Sequence, residues 1–139
     1  ENSLKPHLKP HHKSALILGT GGASKAVAFA LKKLGIHYEY VSRTASAATK
    51  FTYESLAKEG IKNYQIIINC TPIGTFPNLN KCPAIPYEDI SSTHLLYDLI
   101  YNPEETLFLK NGKANNAVTL NGLEMLRLQA EKSWEIWNS

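Results

Sequence analysis

The 139-residue sequence lacks the features that define several protein classes. It has only two cysteines, Cys70 and Cys82, with no C-x-x-C pair and no neighbouring ligand residues. This pattern predicts neither a disulfide framework nor a zinc site, and we expect two reduced thiols. No apolar run is long enough to span a bilayer, and no signal-peptide pattern is visible. These absences predict a cytoplasmic protein with no membrane partner.

The sequence also lacks a strong charge of either sign. Its formal net charge is +3. Most of this charge comes from the first fourteen residues, which contain three lysines and one acidic residue, Glu1. The rest is close to neutral, so the charge pattern predicts no nucleic-acid partner.

Residues 1–13 have no apolar period and alternate Lys, His and Pro. Such a stretch is typical of a linker or mobile arm, and we expect the folded domain to span residues 14–139. Pro10 separates His7 from the adjacent pair His11 and His12, and no Cys or carboxylate lies near them in the sequence. We therefore expect a solvated tail and no metal site.

After this arm, short apolar runs alternate with stretches of helical period. The runs predict strands at 15–18, 38–41, 65–69, 95–99 and 117–120. The periodic stretches predict helices at 23–34, 45–60 and 123–137, and a short helical piece from 107 that Gly112 closes. The alternation predicts an α/β fold: a Rossmann-like, doubly wound, mostly parallel sheet of about five to six strands with helices on both faces. In the first helix the predicted buried face is formed by Ala23, Ala26, Val27, Ala30, Leu31 and Leu34.

The first predicted strand ends in a glycine-rich turn that opens the first helix, Gly19-Thr20-Gly21-Gly22-Ala23-Ser24. Glycines at this junction allow a tight turn and let the backbone approach the pyrophosphate of a dinucleotide. The third position of the fingerprint is Ser24, where Gly or Ala is usual. An ordinary glycine-rich strand-to-helix turn is the alternative.

Gly19 and Lys25 give the outline of a second kind of phosphate loop, the Walker sequence. That loop needs Gly directly before the Lys and Ser or Thr directly after it. Here the neighbours are Ser24 and Ala26, so no hydroxyl stands in the magnesium position and we exclude this interpretation.

The end of the second predicted strand indicates which dinucleotide is bound. NAD-type folds place an acid there to accept the ribose 2′-hydroxyl. Glu39 is at about the right distance from the glycines, but Tyr40 and Val41 continue the strand beyond it. Arg43 emerges at the tip, and a guanidinium there can bind a 2′-phosphate. This favours NADP over NAD, with an ordinary surface arginine as the alternative.

Two further stretches are candidates for ligand contact. A turn containing Thr71 and Pro72 follows the third predicted strand, at the edge where open α/β sheets bind ligands. Gln129 lies in the apolar arc of the last helix, two turns beyond Gly122. Its amide contacts either a ligand or a neighbouring backbone group.

Taken together, the motifs resemble the nucleotide-binding domain of the shikimate dehydrogenase family. The matching pieces follow the family's order: Gly19-Thr20-Gly21-Gly22-Ala23-Ser24, Ser42-Arg43-Thr44, Asn69-Cys70-Thr71-Pro72-Ile73-Gly74, Asp98-Leu99-Ile100-Tyr101-Asn102-Pro103 with Thr106, and Asn121-Gly122-Leu123-Glu124-Met125-Leu126 leading to Gln129 and Trp137. The resemblance implies NADPH-dependent reduction of 3-dehydroshikimate to shikimate in aromatic amino-acid (chorismate) biosynthesis.

The resemblance also implies a role for each matching residue. The loop of Gly19, Gly21, Gly22, Ala23 and Ser24 takes the pyrophosphate of NADP(H). Ser42, Arg43 and Thr44 bind the adenosine 2′-phosphate. The turn with Asn69, Thr71 and Pro72 lies along the cofactor. At the nicotinamide end stand Gly122 and Met125, and the residues that reach the substrate are Tyr101 and Gln129.

The family's catalytic Lys–Asp pair belongs to an N-terminal domain that has no counterpart in this sequence. Reduction of a carbonyl needs a positioned proton donor, so we expect no catalytic residue in this chain and no activity from it alone. We expect a monomer or homodimer. The alternatives are an NAD-dependent quinate/shikimate dehydrogenase and a non-catalytic nucleotide-binding regulatory module.

Overall fold

A computed structural model describes residues 8–43, 51–73, 80–100, 103 and 105–123. These residues form one six-stranded sheet in the order β3-β2-β1-β4-β5-β6, and every neighbouring pair is parallel. The strands are β1 (Ser14–Leu18), β2 (His37–Ser42), β3 (Phe51–Thr52), β4 (Ile66–Asn69), β5 (Leu95–Asp98) and β6 (Val118–Leu120). The helices are α1 (Gly22–Lys33), α2 (Tyr53–Glu59) and α3 (Leu107–Ala114), with a short 3-10 turn at Tyr87–Asp89. The predicted doubly wound fold is confirmed.

Helices cover both faces of the sheet because its central strands are apolar on both sides. In β1, Leu16 and Leu18 belong to one core cluster, while Ala15 and Ile17 belong to the other. The first cluster includes residues of α2 and α3, and the second includes residues of α1. Continuous apolar runs are typical of parallel strands that are buried on both faces.

The prediction of one helix over residues 45–60 was wrong. Its second half holds strand β3 and the short helix α2. A two-residue strand is too short to show a period, so the sequence pattern could not reveal it. Thr52 ends the strand and starts the helix, because its side chain accepts a hydrogen bond from the Ser55 backbone at 3.1 Å.

The buried face of α1 also differs from the prediction. Ala23 and Ala26 are exposed, whereas Ser24 and Ala28 are buried together with Leu31. Alanine spacing carries little information about orientation, because an alanine loses little free energy on either face of a helix.

The prediction that Gly112 closes α3 was wrong, because Gly112 lies inside the helix. A Cβ at this position would lie 2.6 Å from Leu96 Cδ2. Glycine here lets the helix approach β5 closely, and the helix ends two residues later at Ala114.

The expectation of a solvated tail is wrong for His12. The residue is 6% exposed, and its Nδ1 accepts a hydrogen bond from the Lys9 backbone N–H at 2.9 Å. Burial, reinforced by the neighbouring His11, lowers the pKa of His12. The chain is held to the domain here because the His37 N–H donates to the Lys13 backbone carbonyl at 3.1 Å, just before β1 begins.

Candidate cofactor-binding site

The glycine turn lies between the ends of three strands. The Gly19 N–H donates to the Val41 carbonyl of β2 at 2.8 Å, and the Cys70 N–H donates to the Leu18 carbonyl of β1 at 2.9 Å. Gly19 has φ of +107°, and a Cβ there would lie 3.1 Å from Thr71 Cγ2. Its backbone conformation therefore requires glycine, and a Cβ would also crowd the Thr71 side chain.

Gly21 and Gly22 have no such requirement within the described part of the chain. Apart from its chain neighbours and the backbone of its own helix, no heavy atom there lies within 4 Å of a Cβ built on either residue, and Gly21 has an ordinary φ of −74°. The same two residues open α1, a twelve-residue helix whose first turn has no capping side chain and no acidic residue. This helix end therefore presents backbone N–H groups and the positive end of its dipole to an open cradle.

Ser24 fits the third position of the fingerprint because its side chain turns back into the protein. It is 0% exposed, and its hydroxyl donates a hydrogen bond to the Gly21 carbonyl. The buried hydroxyl is thereby paired, so serine replaces Gly or Ala without leaving an unpaired polar group.

The second strand presents Arg43 at its tip, as predicted. Arg43 is exposed and follows β2 directly, while Ser42 is half-buried at the end of the strand. Glu39 lies in the middle of β2, with its carboxylate 3.1 Å from His37 Nε2. Thr44 lies outside the described residues.

A buried polar network joins the ends of β4 and β5. Asn69 and Asp98 are partners in the parallel register, and both are 0% exposed. Asn69 Nδ2 donates to Asp98 Oδ1 at 3.2 Å, and the Asn69 amide oxygen accepts from the Thr71 N–H and hydroxyl at 3.0 and 2.6 Å. Asn69 therefore fixes the turn that Gly19 touches.

The same network reaches helix α3. Asp98 Oδ2 accepts from the Thr106 hydroxyl at 2.7 Å, and Oδ1 also accepts from the Ile100 N–H at 3.1 Å. Thr106 is the N-cap of α3 and accepts from the Leu109 N–H at 3.4 Å. Burial raises the pKa of Asp98, and these hydrogen bonds oppose that rise. The motif contained Asp98 and Thr106, but only the fold shows that they position the turn.

Gly122 approaches the end of β5. Its N–H donates to the Ile100 carbonyl at 3.2 Å, and a Cβ on it would lie 1.9 Å from the Leu99 carbonyl oxygen. Any side chain at residue 122 would therefore displace the backbone that follows β5.

The structure thus brings the glycine turn, the 69–72 turn, Arg43 and Gly122 to the carboxyl edge of one sheet. Pro72 is exposed on this edge. Ligands bind at this edge in open α/β sheets, at the point where the strand order reverses. Here the order reverses between β1 and β4. Tyr101, Met125 and Gln129 lie outside the described residues.

Two other kinds of site are absent from the described ranges. No three side chains of His, Cys, Asp or Glu are grouped so that they could hold a metal ion. No helix in those ranges has the length and apolar character needed to cross a membrane.

Known proteins resemble this chain in both sequence and structure, although no protein-family model matches it. Shikimate dehydrogenase (NADP+) of Methanococcus maripaludis strain C6 is 41% identical over 139 aligned residues, which cover 91% of this chain and 50% of that protein. A chorismate mutase/shikimate 5-dehydrogenase fusion protein from Clostridium acetobutylicum has a TM-score of 0.81 at 36% identity, covering 96% of this chain and 49% of that one.

The shikimate 5-dehydrogenase of Thermus thermophilus, solved with NADP(H) and shikimate, has a TM-score of 0.78 at 29% identity. The match covers 98% of this chain and 53% of that one. The chain spans about half the length of the curated relatives it matches. In sequence and in its parallel sheet, the chain is therefore similar over nearly its whole length to about half of a shikimate dehydrogenase.

Proposed function

We propose that this chain binds NADP(H) as the cofactor half of a shikimate dehydrogenase, which reduces 3-dehydroshikimate to shikimate. The names of the relatives support this proposal, since they are NADP+ enzymes or were solved with NADP(H) and shikimate. A stronger support comes from the chain itself, at the opening of α1.

The observation that carries the proposal is the open cradle at Gly21 and Gly22. A glycine in a folded protein is usually needed for a positive φ or for the close approach of another group to the backbone. At these two positions no described residue supplies either reason. A ligand that approaches the backbone would explain both glycines. The uncapped helix end favours a negatively charged ligand. A pyrophosphate has the negative charge that this helix end favours.

With the pyrophosphate at the start of α1, the other predicted residues at the carboxyl edge of the sheet contact the rest of the cofactor. Ser42, Arg43 and Thr44 hold the adenosine 2′-phosphate, and Arg43 supplies the positive charge. The turn of Asn69, Thr71 and Pro72 borders the cofactor, with Asn69 acting through its internal hydrogen bonds. Gly122 and Met125 meet the nicotinamide, while Tyr101 and Gln129 reach the substrate.

Bound NADPH supplies a hydride to the substrate carbonyl, and a proton must then reach the carbonyl oxygen. Asp98 does not supply it, because it is 0% exposed and both its oxygens accept hydrogen bonds within the protein. We propose that the proton donor is the family's Lys–Asp pair in the other half of the enzyme. The chain alone then binds NADPH without turning over.

The NAD-dependent alternative is disfavoured by the tip of β2. Recognition of NAD needs an acid at the ribose 2′-hydroxyl. Glu39 lies three residues before the end of β2 and contacts His37, whereas the residue beyond the strand is Arg43. The charge at the tip is therefore suited to a 2′-phosphate.

Gly21→Ala tests the cradle. The new methyl group has space within the protein, so the free energy of unfolding should change by less than about 1 kcal/mol. The same methyl group blocks the pyrophosphate, and NADPH affinity measured by calorimetry should fall at least about tenfold, or about 1.4 kcal/mol.

Gly35→Ala is the matched control, at the other end of α1. Gly35 has φ of +74°, so alanine should destabilise the fold by roughly 1 kcal/mol and leave NADPH affinity unchanged. A Gly21→Ala chain that binds NADPH as tightly as the wild type would contradict the proposed site.

A further inference from the structure

Arg43 has a neighbour at the same position of the adjacent strand. Ser42 of β2 pairs with Thr52 of β3, and these are the last residues of the two parallel strands. Arg43 and Tyr53 are therefore the next residues in the same register, and both emerge at the carboxyl edge. Tyr53 is also the first residue of α2.

The Tyr53 hydroxyl is buried without a hydrogen-bond partner. Its ring packs against the core cluster that contains Leu18 and Val41, yet its Oη has no donor or acceptor within reach in the described structure. The Gln65 side-chain oxygen is in the same situation, but Gln65 precedes β4 at the opposite edge of the sheet. Buried polar groups almost always have a partner. The Tyr53 hydroxyl is close enough to Arg43 for the guanidinium charge to affect its pKa, so a ligand bound beside Arg43 supplies the missing partner when the ring turns toward this edge.

The chemistry of the hydroxyl indicates what that partner is. Burial raises the pKa of Tyr53, while the nearby Arg43 guanidinium opposes this rise. The phenol therefore stays protonated at neutral pH and can donate a hydrogen bond. A neutral donor beside an exposed cation is suited to a phosphate oxygen.

We propose that Tyr53 donates a hydrogen bond to the adenosine 2′-phosphate of NADP(H), beside Arg43. This inference rests on the proposed function, because it assigns one more contact to the same cofactor. It makes Tyr53 a residue that discriminates NADP(H) from NAD(H).

The test uses the full chain and two nucleotides that differ in one phosphate, adenosine 2′,5′-bisphosphate and 5′-AMP. Tyr53→Phe should lower the calorimetric affinity for the bisphosphate about tenfold and leave 5′-AMP binding unchanged. Because it removes only an unpaired hydroxyl, it should melt at the same temperature as the wild type or higher.

Tyr87→Phe is the matched control. Its hydroxyl donates to the Pro83 carbonyl at 2.7 Å, so its removal should lower the melting temperature and leave both affinities unchanged. The opposite behaviour of the two tyrosines separates a ligand contact from an internal one.

Three results would overturn the inference. Bisphosphate affinity could be unchanged in Tyr53→Phe, both nucleotides could weaken equally, or the variant could be less stable and so reveal an internal partner. If the wild type prefers the bisphosphate but Tyr53→Phe does not show the expected loss of affinity, the proposed function stands and only the role of Tyr53 is refuted. A wild type with no preference for the bisphosphate contradicts both proposals.

Discussion

Thr106→Val would test the buried network that holds the carboxyl edge together. The substitution keeps the shape of a side chain that is 0% exposed and removes only its hydroxyl. That hydroxyl donates to Asp98 Oδ2 at 2.7 Å and accepts from the Leu109 N–H at 3.4 Å. One substitution therefore removes a helix cap and a hydrogen bond to a buried carboxylate.

The two losses differ in size. Loss of an N-cap costs about 1 kcal/mol, and loss of a buried hydrogen bond to a charged group costs about 2 kcal/mol. We expect Thr106→Val to lower the free energy of unfolding by about 3 kcal/mol, measured by urea unfolding at neutral pH. For a chain of this length, the melting temperature should fall by roughly 10 °C.

Thr52→Val is the matched control, because Thr52 caps α2 but has no buried carboxylate as a partner. Its side chain accepts from the Ser55 N–H at 3.1 Å, and the Ser55 hydroxyl accepts from the Thr52 N–H at 2.9 Å. We expect a loss of about 1 kcal/mol, the value of a cap alone. If the two valine variants lose the same stability, the bond between Thr106 and Asp98 does not stabilise the edge.

Two further predictions concern charge at the same edge. Burial raises the pKa of Asp98 above its ordinary value of 3.8, so its contribution to stability is present below pH 3.8 and is lost as pH rises through the folded-state pKa. Asp98→Asn should remove that loss, and urea unfolding should show a smaller decline of stability above this pH than in the wild type; parallel pH profiles would refute this. Arg43→Ala should weaken NADPH binding by about 1–3 kcal/mol, the value of a charge-assisted hydrogen bond, and leave NADH binding unchanged in calorimetry. Equal weakening of both nucleotides would remove Arg43 from the 2′-phosphate.

The doubly wound fold class, five of the six strands and the position of the glycine turn could be predicted from local pattern. Apolar runs that end in turn residues indicate all three, and parallel connections allow few alternative topologies. The position of Arg43 followed from the same pattern, since it is the first residue beyond a predicted strand.

Features that depend on contacts between distant segments could not be predicted. The sequence pattern placed a helix end at Gly112. Glycine is needed there because a side chain would collide with Leu96 of β5. Asp98 and Thr106 lay within the matching motif without a role until the fold joined them to Asn69. Tyr53 carried no signal at all, because its position depends on the two-residue strand β3 that precedes it.

Calorimetric titration of the wild-type chain with NADPH and with NADH tests the central claim most directly. The positive charge of Arg43 at the tip of β2 and the open cradle at the start of α1 predict that NADPH binds at least about tenfold more tightly than NADH. Equal affinities, tighter binding of NADH, or no binding of NADPH would contradict the account.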